Sequence, residues 1–315
     1  MSTVPAQDGL NRFVDEDDYH ADRGSLSVSG AKLLLPPSCP AKFRWEQDNT
    51  RKPKKVWDFG HVTHKLVLGK GAEFEILDPA VHGLKADGTP SEKPTATANW
   101  RKAEADARKQ GKVPIHVDLF TKAYDMAERV RQHPTAGPIF ADPEGQAEVA
   151  LYYTDPETGV RLRGRIDWLT AVIDDYKTST TANPAELKTK FYKLSYFMQA
   201  AWYMDLLVAL GLSENPRFRF IVQEKEPPYV VTPIEYDDDA IAEGRRRNRQ
   251  AIELYAECME TGRWPGYSDD VVTISLPSWG LPRPQTVGDV VTDSYLYDTD
   301  PLDEGDPIEG EYIYG

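Results

Sequence analysis

The sequence predicts an α/β domain with a central mixed β-sheet flanked by helices. Three observations predict it. Between Gln146 and Thr178 apolar residues alternate with period two, the signature of strands with one buried face. On either side the period lengthens to that of a helix, at Val56–Leu68, Phe191–Leu210 and Asp237–Gly262. Two further short strands, Phe218–Val222 and Tyr229–Thr232, come after the first long helix of the second half. Strands in the middle with helices on both sides require a layered α/β or α+β packing.

Taken in order, residues 1–24 are polar and acidic, with an acidic run at Asp15–Asp18, and read as a mobile leader. A short capped helix is expected from Ser27 or Ser29, stopped by Pro36-Pro37, with a new element at Cys39–Trp45. Gly83–Pro94 is a polar loop. Asn99–Gly111 and His116–Gln132 read as helices, the second turning Leu119, Phe120, Tyr124 and Val130 inward. Glu148–Tyr153 and Val160–Leu169 form a hairpin about the turn Thr154–Gly159, and Ala171–Thr178 is a third strand. Trp264–Tyr267 and Leu276–Trp279 are closing aromatic segments. The expected organisation is leader 1–24, folded domain 25–285 and an acidic tail 286–315.

A chain of 315 residues, 40% hydrophobic, can bury a sizeable core. No apolar run reaches the length of a transmembrane helix, and the Met1 region lacks the apolar core of a signal peptide. Two cysteines, Cys39 and Cys258, cannot build a disulfide framework or a four-thiolate cluster, and they suit a reducing cytoplasm. Net charge is −14, which by itself argues against nucleic acid. The tail from Thr286 carries nine of the acids and no Lys or Arg, and setting those nine aside leaves −5. Within the remainder, basic residues gather at Arg51–Lys55 and Arg245–Arg249.

The chemistry concentrates in Gly164–Thr180. Asp167 is followed eight residues later by Asp175 and then by Lys177. Strand parity puts Asp175 and Lys177 on one face and turns Asp174 away. Two carboxylates, with a backbone carbonyl such as that of Tyr176, form a half-shell suited to magnesium. Lys177 can orient a water or take its proton. Glu148 opens the strand paired to that of Asp167, and reads either as part of this site or as an ordinary strand-end glutamate. His61 and His64 share a helix face at i and i+3, and Gln199 and Tyr203 do so at i and i+4, with Tyr196 nearby. Lys177-Thr178 lacks the glycine loop of a nucleotide site, so no nucleotide is expected, and Tyr267–Asp270 reads as a turn.

Together these pieces resemble the RecB-type branch of the PD-(D/E)xK nucleases, and within it the RecE-like (exonuclease VIII) enzymes of phages and prophages. Gly60–His64 resembles the Gly-x-x-x-His helix, Gly164–Asp167 the first acidic motif and Asp175–Lys177 the (D/E)xK motif. Gln199–Tyr203 is similar to the Gln-x-x-x-Tyr motif. The similarity extends over roughly Ser25–Trp279. It implies a PD-(D/E)xK core, with His64, Asp167 and Asp175 as metal ligands and Glu148 completing the sphere. It further implies Lys177 as the residue that places water, and Gln199, Tyr203, Tyr196 and Arg165 as DNA-holding or supporting residues. The implied activity is magnesium-dependent, ATP-independent 5′-to-3′ digestion of one strand of duplex DNA, with manganese able to substitute. The implied partners are duplex ends, a single-strand annealing recombinase, and further copies of the chain in a ring such as a tetramer. The setting is the cytoplasm of a bacterial host. An iron–sulfur cluster found in some relatives needs four cysteines and is not expected here. The alternatives are a structure-specific or 3′-end nuclease of the same superfamily, and a non-catalytic DNA-binding or docking protein on this fold.

Overall fold

The computed structural model describes residues 3–49 and 55–277. In chain order the elements are β1 (Gly9–Asn11), α1 (Glu16–Ala21), β2 (Leu26–Ser27), α2 (Val28–Leu34), α3 (Pro40–Asp48), α4 (Lys55–Leu68) and β3 (Phe74–Leu77). Next come α5 (Pro79–His82), α6 (Ala98–Lys109), β4 (Val113–His116), α7 (Val117–Gln132), α8 (Ala136–Phe140), β5 (Gln146–Thr154), β6 (Arg161–Leu169) and β7 (Val172–Ser179). The last are α9 (Pro184–Lys193), α10 (Tyr196–Ala209), β8 (Arg217–Glu224), β9 (Val231–Ile234) and α11 (Asp238–Thr261).

Seven strands form one mixed sheet in the order β1-β5-β6-β7-β8-β9, with β2 added beside β6. The β5–β6 hairpin and the β6–β7 pair are antiparallel, whereas β7 and β8 run parallel. Parallel neighbours need a crossover, and α9 with α10 supply it. The expected mixed α/β sheet is therefore what the chain builds. The small parallel pair β3–β4 stands apart.

Two apolar layers cover the sheet. On one face α10 is buried along most of its length and packs with α2 and α11 over Leu151, Ile166, Phe218 and Phe220. On the other face α4, α7 and α8 close over Trp168, Tyr176 and Ile221. Ile166 and Trp168 lie two residues apart on β6 yet enter opposite layers, which a regular strand would not allow. The strand changes face at Asp167. Glu148 stands opposite it, because Ala147 pairs with Trp168 and Val149 with Ile166. Glu148 also has φ +56, a left-handed conformation that costs a non-glycine residue roughly 1–3 kcal/mol.

Several expectations need correction. Residues 9–11 and 16–21, expected in a mobile leader, form β1 on the sheet edge and α1, whose Tyr19 is buried. The single helix expected over Phe191–Leu210 is two, because Ser195 adopts φ +52 and breaks the helical path between α9 and α10. Leu119 and Tyr124 are nearly half exposed, whereas Val130 is buried as expected, and α7 buries Ala123, Met126 and Ala127 with it. The arginines of α11 do not form a bare basic patch. Arg245 pairs with Asp205, Arg246 and Arg247 pair with Glu243, and Arg249 pairs with Asp155. The basic run through Arg51, Lys52 and Lys54, the aromatic Trp279 and the acidic tail 286–315 lie outside the described residues. Among the described residues no helix is long and apolar enough to cross a membrane.

Candidate active site

The site forms where the sheet opens. Pairing of β6 with β7 stops at Trp168–Asp174, so the strands part just before Asp167 and Asp175 would face each other. Asp167 fills the gap with its side chain, and its Oδ2 accepts the Tyr176 amide at 3.0 Å in place of a ladder carbonyl. The Tyr176 N–H is thereby tied to the cluster, and in an extended strand the carbonyl of the same residue points to the same side. The Tyr176 ring lies in the layer closed by α4, 6.3 Å from the His64 ring between centroids, its hydroxyl donating to Gln223 Oε1 at 2.5 Å. On β7 the alternation holds as parity requires. Asp175 and Lys177 share a face, with Lys177 Nζ 2.6 Å from Asp175 Oδ2, while Asp174 points away and pairs with Arg219 at 2.6 Å.

His64 reaches in from α4. Its Nδ1 lies 3.2 Å from Glu148 Oε1 and its Nε2 3.0 Å from Asp167 Oδ2. Burial alone would lower the imidazole pKa, but the Asp167 carboxylate, its hydrogen bond and Glu148 outweigh this and raise it to about 9. An imidazolium therefore sits between two carboxylates. Burial likewise pushes Asp167 upward, yet the His64 charge and hydrogen bond, Lys177 and the Tyr176 amide hold it below the usual carboxylate range. Asp175 goes the other way. Its burial and the nearby Asp167 raise it to about 7, despite Lys177.

The ligand atoms of His64, Glu148 and Asp167 all lie within 4.8 Å of one another. One imidazole and two carboxylates suit a hard divalent cation, which would take over the charge the His64 proton now supplies. The donor set fits such an ion. Asp175, expected as a further ligand, stands beside this trio with its oxygens on Lys177 and on Gln199, whose Nε2 donates to Oδ1 at 2.5 Å.

The other expected residues support the site from below. Arg165 pairs with Glu148 and lies 5.7 Å over the Tyr19 ring. Tyr203 is fully buried beneath Gly164, where a Cβ would come within 2.8 Å of its ring. That clearance is why β6 carries glycine before the first acid. Tyr196, 4% exposed, stacks on Phe220 and faces two ammonium groups. Rings buried this way brace the site rather than reach a substrate. His61 lies on the same helix outside the trio, and its burial lowers its pKa.

Sequence reasoning missed Lys32 on α2. Its Nζ lies 4.9 Å from the Tyr196 ring centroid, and Lys177 Nζ lies 5.6 Å from the same centroid. Burial, and then repulsion from Lys177, bring its pKa down to about 7, with Asp175 opposing the shift. The available signal was a lone charge inside Gly30-Ala-Lys-Leu-Leu-Leu35.

The family described as a PDDEXK-like domain of unknown function (DUF3799) matches residues 27–276. The chain belongs to this PDDEXK-like family. Its span takes in every element from the start of α2 to past α11, so the site described above lies wholly inside the family's domain. Among solved structures, the "Putative exonuclease" of Eubacterium rectale superimposes with a TM-score of 0.55 at 12% identity. That match covers 85% of this chain and 97% of the other, and it supports the fold. No curated protein matches the chain.

Proposed function

We propose that this PDDEXK-like chain is a divalent-metal-dependent nuclease of the RecE-like kind. In this reading it is an exonuclease that digests one strand of duplex DNA from the 5′ end without ATP. The observation that carries the proposal is the junction of the His64–Glu148–Asp167 trio with the Asp175–Lys177 pair across one opening in the sheet. The exonuclease name of the structural neighbour agrees with it. Exonuclease action and 5′ polarity draw further on the motif resemblance.

His64, Glu148 and Asp167 would hold the metal, with Asp175 joining when it is ionised. A divalent ion there supplies charge for the phosphate oxygens and lowers the pKa of water. Lys177, buried against Asp175, points its ammonium into the same space and can fix the attacking water or accept its proton. Gln199 holds the Asp175 carboxylate in the orientation that keeps Lys177 there. Arg165 fixes Glu148 from the other side. The remaining single strand would pass to an annealing protein, and a ring of subunits would keep the enzyme on its duplex, in the cytoplasm of a bacterial host.

The test is digestion of linear duplex labelled separately at its 5′ and 3′ ends, with circular duplex alongside, in magnesium and in EDTA. The expected result is early loss of the 5′ label from linear DNA, intact circles, and no cutting in EDTA. Lys177→Ala should fold and bind metal while cutting at least about 10³-fold more slowly. Undiminished cutting by that variant sinks the mechanism, and early loss of the 3′ label reverses the polarity.

A further inference from the structure

We propose that Lys32 is a second phosphate-binding cation of this site, holding a DNA backbone phosphate next to the one that Lys177 serves. The assignment rests on the nuclease reading above.

Three observations carry it. The first is charge matching. His64 lies between Glu148 and Asp167, Arg165 is paired with Glu148, and Lys177 with Asp175. The acids of the site are thereby used, and no hydrogen bond or ion pair to the Lys32 ammonium is seen among the described residues, only the Tyr196 ring. A half-buried ammonium without an anion is costly and gains most when one arrives. The desolvation and the repulsion from Lys177 described above are what a bound phosphate would relieve.

The second observation is position. Both ammonium nitrogens approach one ring, at 4.9 and 5.6 Å from its centroid, so they lie no more than about 10.5 Å from each other. Two cations this close can serve neighbouring phosphates of one strand. The third is rigidity. β2 pairs in parallel with Leu162 and Arg163 of β6, the strand that carries Asp167. The next residues form α2, capped by Ser27 accepting from the Gly30 amide at 3.3 Å. Gly30 is pressed against the Phe43 ring, where a Cβ would come within 2.8 Å. Lys32 is therefore presented by an element tied to the catalytic strand, as a binding residue needs to be.

The experiment measures binding of short duplexes by fluorescence anisotropy in EDTA, where nothing is cut. One backbone phosphate at a time is replaced by an uncharged methylphosphonate. The chains are the full-length wild type, Lys32→Met and Lys32→Arg, each checked by thermal melting. Methionine keeps the apolar stem without the charge, and arginine keeps the charge. The expected result is one substituted position that weakens wild type and Lys32→Arg about 10-fold and leaves Lys32→Met unchanged. Lys32→Met should bind unmodified duplex about 10-fold more weakly than wild type. The assignment is overturned if Lys32→Met loses the same factor at every position, or binds unmodified duplex as wild type does. In either case, wild type that still cuts DNA in magnesium leaves the nuclease reading standing. Wild type that neither binds nor cuts DNA removes both.

Discussion

The two ends of the β5–β6 hairpin are both crowded with charge, and they handle it in opposite ways. At the turn, Asp155 receives both arms of Arg249 at 2.8 and 3.0 Å and the Thr158 hydroxyl at 2.6 Å. The Arg249 hydrogen bonds lead in holding its pKa below the usual range, against the opposing effect of burial. At the open end Glu148, Asp167 and Asp175 are crowded together in a buried site, and burial, followed by the nearby Asp167, pushes Asp175 up to about 7 despite Lys177. The first arrangement is what a structural ion pair looks like: complete, and strengthened by folding. The second is crowded with buried acid, and a carboxylate raised by burial and then by a neighbouring carboxylate suits a place that takes a cation. Glu148 adds its left-handed backbone to the same end.

The comparison breaks most visibly under substitution of the open end. Asp167→Asn should lower cleavage by about 10³-fold or more and abolish tight metal binding, because it removes an acid that also accepts the Tyr176 amide and the His64 ring. Cleavage assays paired with calorimetric metal titration check this. Undiminished metal affinity would show that the trio is not the binding site. At the turn, Asp155→Asn should leave the rate per folded molecule unchanged. Its cost is stability, about 2 kcal/mol from hydrogen bonds to a charged group, read in urea unfolding. An activity loss without a stability loss would mean that the two ends are not separable in this way.

A smaller effect sharpens the contrast further. The double substitution Asp175→Leu with Lys177→Met replaces both partners of a buried pair by apolar side chains of similar size. Such replacements leave stability within about 1 kcal/mol of wild type or slightly above it, while cutting disappears. A marked loss of stability would instead make the pair a structural one like Asp155–Arg249.

These contrasts were partly legible in the sequence. Alternation along β7 separated Asp175 from Asp174, because parity is local and a single strand encodes it. The turn at Thr154–Gly159 was legible for the same reason. Whether Glu148 joins the site depends on register, and on a change of strand face at Asp167 that no periodicity records. Lys32 stayed hidden because its neighbours, Tyr196 and Lys177, are more than a hundred residues away and arrive only through β2–β6 pairing. The pair β3–β4 was missed because each strand is four residues long and pairs with a partner far along the chain. Leu119 and Tyr124 misled because a helix face rich in alanine can bury Ala123 and Ala127 while larger residues stay outside.

The smallest effect, and the most diagnostic, is the pH at which each end loses its contribution to stability. Asp155 has a lowered pKa in the folded chain, so its contribution is present above the unfolded value near 3.8 and is lost as pH falls through the folded value. His64 has a pKa raised from 6.5 to about 9. Its contribution is fully present below about 6.5 and is lost as pH rises through about 9. Acid should therefore undo the turn and alkali the open end. Melting of wild type, Asp155→Asn and His64→Gln from pH 3 to 10 in EDTA reads both. The wild-type advantage over Asp155→Asn should hold from pH 5 upward and shrink below about 4. The advantage over His64→Gln should be greatest below pH 6.5 and gone above about 9. A flat second profile would mean that no imidazolium bridges Glu148 and Asp167, and that the metal-free site is held together by other charges.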